Sequence, residues 1–229
     1  MLRGNMEDGE MLKALEIMEN SLLVKPVLEA SSLNNEATAV FVIDMLEGFA
    51  RDGALSDRRI EMLAEPIAGL LEVLPLSKIV FMNDSHGEDS IEFEAYPSHC
   101  IKGTGEAEIV RELRGYSKNG IVMEKNSTNG FVCGDFGKWF EENRKTISTY
   151  LVVGDCTDIC VKQFAVTLKA WFSERNIDSR VIVAMNMVDT FDLEATGHNG
   201  DLMNVVSLYE MDGAGIEIVY MQFGKNGNK

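Results

Sequence analysis

Short continuous apolar runs alternate along this chain with stretches in which apolar residues recur every three or four positions. Ala39-Val40-Phe41-Val42-Ile43 is such a run, the pattern of a strand buried on both faces of a parallel sheet. Comparable runs predict strands over Lys78–Met82, Gly120–Glu124, Thr149–Val153, Arg180–Met185 and Gly215–Tyr220. Helical spacing predicts a helix from Ser56 with Ile60, Leu63, Ile67 and Leu70 inward, kinked at Pro66, where proline removes a hydrogen bond. It also predicts a short helix near Ala107–Leu113, one carrying Phe136, Trp139 and Phe140, one carrying Val161, Phe164, Ala165, Leu168 and Phe172, and one around Leu202–Met211. Strands separated by helices need right-handed crossovers. The expected fold class is therefore α/β, an open, mainly parallel sheet with helices on both faces.

Ahead of these units the chain is rich in Met and Glu, with Met11, Leu15, Met18 and Leu22 on one helical face and Pro26 as a stop. This predicts an N-terminal helical extension over residues 1–37, with Ser31–Glu36 as its connection and one domain over 38–229. The extension is expected to pack on that domain or on a partner subunit. At 229 residues and 45% hydrophobic content, the chain can bury one sizeable core. Thirty-seven acidic residues against 21 basic ones give a net charge of −16, which argues against nucleic acid as a partner because phosphate contacts need clustered Lys and Arg. Cys100, Cys133, Cys156 and Cys160 do not resemble a disulfide framework, no signal-like leader precedes them, and no apolar run is long enough to span a bilayer. A cytoplasmic, reduced protein without a membrane partner is the expectation.

In open parallel sheets, sites form beyond the C-terminal strand ends. Asp44, Asp84, Lys125 and Cys160 each follow a predicted strand end, so the fold would gather them along one edge. Cys160 falls in the first turn of its helix, with Thr157 and Asp158 as N-cap and first-turn residues. Free N–H groups and partial positive charge there lower a thiol pKa and can hold an oxyanion. Asp44, Lys125 and Cys160 thus make a nucleophile set, the carboxylate taking the thiol proton and the ammonium stabilising charge. Singly, each has a plainer reading as a helix cap, a solvated charge and a buried structural cysteine.

A second group is Asp84-x-His86 with Glu92 and His99, which brings two of the three histidines into one loop. Carboxylates with imidazoles suit zinc, iron or manganese; the alternative is a polar surface loop with incidental histidines. His198 reads as a turn or cap residue, and the charges of Glu106–Glu112 as a solvated helix face. No Gly-rich phosphate fingerprint follows any strand.

Over roughly Thr38–Val219 these motifs resemble the isochorismatase-like cysteine hydrolases, and among them the nicotinamidase branch. The family's Asp, Lys and Cys fall on Asp44, Lys125 and Cys160, its nucleophile turn on Gly154–Val161, and the branch's metal motif on Asp84, His86, Glu92 and His99-Cys100-Ile101-Lys102-Gly103-Thr104. The resemblance implies one divalent transition metal (Zn, Fe or Mn) held by Asp84, His86, Glu92 and His99. It implies a ring sandwiched by Phe49 and Tyr96, and an oxyanion hole made by the backbone N–H groups of Cys156 and Cys160. It further implies a cis peptide entering Cys156, hydrolysis of nicotinamide to nicotinate and ammonia through a thioester, a place in pyridine-nucleotide salvage, and assembly into a homo-oligomer. Leu46 stands where many members have Gln, Glu92 where some have His, and Cys156 where a small apolar residue is usual. The alternatives are another small amide or N-carbamoyl compound as substrate, or a thiol redox or non-catalytic binding protein built on Cys156-x-x-x-Cys160.

Overall fold

Every residue from Thr38 to Ile43 is buried, because the strand they form lies in the interior of a seven-stranded sheet with helices against both faces. The computed structural model describes residues 8–75 and 78–224. Parts of the expected extension (1–7) and of the expected domain (76–77 and 225–229) lie outside the described residues. The strands are β1 (Val27–Glu29), β2 (Thr38–Ile43), β3 (Lys78–Asp84), β4 (Ile121–Lys125), β5 (Thr149–Gly154), β6 (Arg180–Val188) and β7 (Glu217–Gln222). The helices are α1 (Asp8–Leu23), α2 (Glu47–Ala50), α3 (Arg58–Glu61), α4 (Ala64–Val73), α5 (Arg114–Ser117), α6 (Gly134–Asn143), α7 (Lys162–Glu174) and α8 (Gly200–Gly213).

Strand order is β1-β7-β6-β5-β2-β3-β4, and all pairs are parallel. Alternate side chains of the strands serve two cores. Val40, Val42, Leu151 and Val153 meet Ile60, Leu63, Ile67 and Leu70 of the α3–α4 segment, whereas Phe41, Tyr150 and Val152 meet Phe136 and Phe140 of α6, Phe164 and Phe172 of α7, and Met211 of α8. β2 is followed by neighbours on one side and flanked by β5 on the other, so the chain diverges from the β2/β5 seam. That seam is the topological switch point where open α/β sheets form sites. Registers align Ile43 with both Met82 and Gly154, and Asp84 with Lys125, which levels four strand ends at one edge.

The α/β reading and each expected core strand hold, with three local differences. The break in the helix after Ser56 falls at residues 62–63 rather than at Pro66, which puts Pro66 in the first turn of α4, where its missing N–H has no intrahelical role. No helix forms over Ala107–Leu113; this segment is turns plus an antiparallel pairing of Ile109 with Leu46. Two of its acidic residues are not solvated: Glu112 pairs with Arg51 and Glu106 accepts the Cys100 N–H at 3.0 Å, whereas Glu108 is exposed beside Arg114. At the N-terminus α1 packs on α8, helped by Lys25 and Asp212 at 2.6 Å. The chain then adds β1 to the sheet edge beside β7, a strand too short to announce itself by alternation. No helix among the described residues is long and apolar enough to cross a membrane.

Candidate active site

Asp44 leaves β2 with φ at +49°, a left-handed conformation that Asp tolerates better than most residues. Its carboxylate is fully buried; Oδ1 accepts the Asp84 N–H at 2.7 Å. Lys125, at the end of β4, is buried between two acids, with Nζ 2.7 Å from Asp44 Oδ2 and 2.5 Å from Asp84 Oδ1. Nζ also points to Cys160 Sγ at 3.7 Å. A buried ammonium is tolerable only with such partners. Sγ and carboxylate oxygens of Asp44 and Asp84 lie within 4.8 Å of one another. Lys125 fills the space between them, so this trio is not a second cation site. Asp44 Oδ2 accepts no well-aligned hydrogen bond, leaving it open to a proton.

Burial, reinforced by the nearby Asp84 carboxylate and opposed by Lys125, pushes the Asp44 carboxyl up to about 6. Burial acts on Asp84 the same way, but the Lys125 ammonium together with His86 and His99 outweighs it and holds Asp84 well below the usual carboxylate range. For Cys160 burial wins over Lys125, and the thiol lies well above its ordinary value. This corrects the expectation that the helix end lowers the thiol pKa: Cys160 is 5% exposed, and desolvation penalises a thiolate more than the end of a helix favours it. The resting pair is a thiol facing a carboxylate.

Cys160 sits in a wide turn, Thr157–Val161, that precedes α7 and is closed by the Val161 N–H donating to the Cys156 carbonyl. Such i→i+5 turns mark functional positions in many helices. Thr157 does not cap the helix; its N–H donates to the Asp189 carbonyl at 3.0 Å. The Asp155–Cys156 peptide is cis, as the resemblance implies. Just before it Gly154 has φ at +108°, and a Cβ there would stand 2.1 Å from the Ile43 carbonyl oxygen. Only glycine permits β5 to approach β2 this closely.

Asp84, His86, Glu92 and His99 each offer a ligand atom within 4.8 Å of the others. His86 Nε2 is 3.5 Å from Asp84 Oδ1 and 3.7 Å from Glu92 Oε1; His99 Nε2 is 3.6 Å from Asp84 Oδ2 and 3.8 Å from Glu92 Oε1. These separations are too long for hydrogen bonds, and His86 Nε2 is buried without a partner. Atoms sharing one ion at about 2.0–2.2 Å in a tetrahedral shell stand about 3.3–3.6 Å apart, so the four residues fit a divalent transition metal. Both rings are anchored from behind, His86 Nδ1 on Asn126 Oδ1 at 2.9 Å and His99 Nδ1 on the Pro97 carbonyl at 2.8 Å. Glu92 is anchored by the Thr128 N–H on its Oε2 at 2.9 Å.

These two groups flank one cleft of about 270 Å³, lined on its polar side by Asp84, Glu92, His99, Cys156 and Cys160. Phe49 and Tyr96 line it as expected, with ring centroids 5.4 and 6.3 Å from that of His99. Leu55, Ile159 and Phe191 complete its apolar wall; sequence reasoning missed all three, since nothing in their spacing distinguishes them from core residues. Leu46 packs in the core rather than lining the cleft. His198 is more than a turn residue. Its Nε2 meets Asp158 Oδ2 at 2.9 Å, its Nδ1 meets the Phe191 carbonyl at 2.9 Å, and its ring stacks on Phe191.

A parallel α/β sheet with a buried acid, lysine and cysteine at its switch point is an arrangement able to support nucleophilic chemistry. The chain belongs to the isochorismatase family, of which it is a hydrolase: residues 38–203 match the Isochorismatase domain model. It is 31% identical over 219 residues to Nicotinamidase 1 of Arabidopsis thaliana, covering 82% of this chain and 87% of that protein. Among solved structures it resembles a nicotinamidase of Bacillus subtilis, with TM-score 0.63, 25% identity, and 80% and 99% of the two chains covered. An N-carbamoylsarcosine amidase of Thermoplasma acidophilum shares the fold at TM-score 0.63 and 24% identity, with 80% and 95% covered.

Proposed function

We propose that this chain is a metal-dependent amidohydrolase that converts nicotinamide to nicotinate and ammonia through a thioester on Cys160. The observation that carries the reading is one small cleft flanked on one side by Asp44, Lys125 and Cys160 and on the other by four ligand atoms, among them a buried, unpartnered His86 Nε2. Its apolar walls, Phe49, Leu55, Tyr96, Ile159 and Phe191, close around a polar end formed by Asp84, Glu92, His99 and Cys160, a lining that suits a single ring with a small polar substituent. The likeness to Nicotinamidase 1 supports the same substrate.

Asp84, His86, Glu92 and His99 would hold one divalent transition metal, which when bound supplies a Lewis-acidic anchor for the ring nitrogen. Phe49 and Tyr96 enclose the ring. Asp44 takes the Cys160 proton as Sγ bonds to the carboxamide carbon, and the backbone N–H groups of Cys156 and Cys160 receive the oxyanion. Asp44 returns that proton to the departing nitrogen, which leaves as ammonia. A water then attacks the thioester, giving its proton to Asp44 and from there to sulfur, and nicotinate is released. Lys125 holds the Asp44 carboxylate in place and offsets the charge that accumulates.

Ammonia release from nicotinamide, pyrazinamide, N-carbamoyl compounds and isochorismate, with and without chelator, tests this reading. Nicotinamide is expected to be the best substrate, and a preference for an N-carbamoyl compound would overturn it. Asp44→Asn is expected to lower kcat by about 10²–10⁴-fold, the usual contribution of a positioned base. Lys125 keeps Asp84 as its partner, so the variant should remain folded; kcat beside a thermal melt checks both statements, and an unchanged rate would assign the thiol proton to another base. Asn126→Ala removes the closer of the two partners of His86 Nδ1, leaving Ser90 Oγ at 3.4 Å, and the variant's affinity for zinc, measured by competition with a chromophoric chelator, is expected to fall by about 10–100-fold, as outer partners of metal ligands generally contribute. Unaltered zinc affinity would show that the ring needs no such support.

A further inference from the structure

Beside the catalytic cleft lies a second, larger hollow that opens to solvent. The two share only Leu55, Tyr96, Ile159 and Phe191. Phe191 is 5% exposed, and the loop carrying it is built onto the nucleophile turn rather than onto the sheet. The Asp189 carbonyl accepts the Thr157 N–H at 3.0 Å, and Leu193 and His198 pair with each other to close the loop. His198 is held at both ends, by Asp158 of the nucleophile turn and by the Phe191 carbonyl, while its ring stacks on the Phe191 ring at a centroid distance of 4.2 Å and an interplanar angle of 20°. Arg59 of α3 adds a bond to Asp189 at 3.0 Å, and Asp57 accepts the Asp192 N–H at 2.9 Å. Six bonded contacts on so short a loop leave Phe191 little freedom to swing away from Cys160.

We propose that Phe191, positioned by His198 against Asp158, is the specificity-determining wall of the catalytic cleft, and that it restricts the enzyme to amides of a single unfused ring. A fused or extended ring seated with its carboxamide at Cys160 has to enter the space that Phe191 closes. Removing the wall joins the cleft to the larger hollow, and bulkier ring amides then fit. Phe191 would touch substrate; His198 acts through Phe191 and is a positioning residue.

This inference rests on the nicotinamide reading for the chemistry of the ring, so the experiment includes a readout that needs no substrate. Phe191→Ala, Phe191→Leu and His198→Asn are compared with the unaltered protein for kcat and KM on nicotinamide and on quinoline-3-carboxamide, the fused-ring homologue. Alkylation of Cys160 by iodoacetamide and by 2-iodo-N-phenylacetamide is measured in parallel. Phe191→Ala is expected to raise the quinoline-to-nicotinamide ratio of kcat/KM, and the large-to-small alkylation ratio, by about tenfold or more, the scale at which apolar pockets discriminate size. Phe191→Leu should give a smaller rise, and it carries the test if the alanine variant does not fold. His198→Asn should raise KM for nicotinamide with kcat nearly unchanged, as loosening of the wall rather than of the nucleophile predicts. Unchanged ratios in both Phe191 variants, with nicotinamide hydrolysed normally by the unaltered protein, overturn the wall and leave the substrate reading standing. A raised alkylation ratio in a protein that does not hydrolyse nicotinamide supports the wall and overturns the substrate.

Discussion

Replacing Cys160 with Ala is expected to lower kcat for amide hydrolysis by about 10⁴–10⁶-fold, the scale of losing the nucleophile of a covalent catalyst, whereas Cys156→Ala retains substantial activity. Both cysteines are buried and both line the cleft, so burial does not separate them. Their surroundings do. Cys160 Sγ has the Lys125 ammonium at 3.7 Å and carboxylate oxygens of Asp44 and Asp84 close by, while Cys156 Sγ has Asp155 Oδ1 at 3.8 Å. Burial pushes the Asp155 carboxyl up from its ordinary value, which disfavours the ionised form that a base needs. Single-turnover ammonia release by the two variants, beside thermal melts, is the measurement. Comparable rates for Cys160→Ala and the unaltered protein would remove Cys160 from the reaction. The contrast also separates hydrolysis from a thiol redox function, in which the two cysteines would matter equally.

Protein prepared without added metal is expected to carry about one zinc, iron or manganese ion per chain, and losing it should cost substrate recognition rather than thiol reactivity. His86→Ala, or chelation, is expected to lower kcat/KM for nicotinamide by about 100-fold or more, the upper end of what even outer partners of metal ligands contribute. Alkylation of Cys160 by iodoacetamide should change little, because Asp44 and Lys125 stand at the sulfur independently of His86. Benzamide keeps the ring and carboxamide but lacks the ring nitrogen, so it should be a poor substrate with or without chelator. Elemental analysis, followed by kinetics on both amides before and after chelation, decides the matter. A metal-free protein with full activity, or equal rates on nicotinamide and benzamide, would overturn the metal-anchored reading in favour of a broader amidase.

The amino-acid sequence by itself determined the frame and named the side chains that the frame gathers at one edge. Runs such as Ala39–Ile43 and Tyr150–Val153 are short, β-branched and aromatic, the pattern of strands in a sheet covered on both faces, since four or five consecutive apolar residues leave no side for water. Once strands and crossovers were placed, Asp44, Asp84, Lys125 and Cys160 had to share an edge, because parallel strands all end on the same side. Local signals failed where a residue's partners are remote in sequence. Ala107–Leu113 has helical spacing, yet Leu46 pairs with its backbone and Arg51 and Arg114 take its acids, and those interactions outweigh a weak propensity. The helix end that promised an activated thiol also buries it, and burial is a property of the packed molecule. Phe191 and His198 lie 31 and 38 residues beyond Cys160, in a loop without periodicity. Only the tertiary structure brings them to the nucleophile turn, because the hydrogen bonds that hold them there, Thr157 to Asp189 and His198 to Asp158, link positions whose separation in sequence carries no pattern.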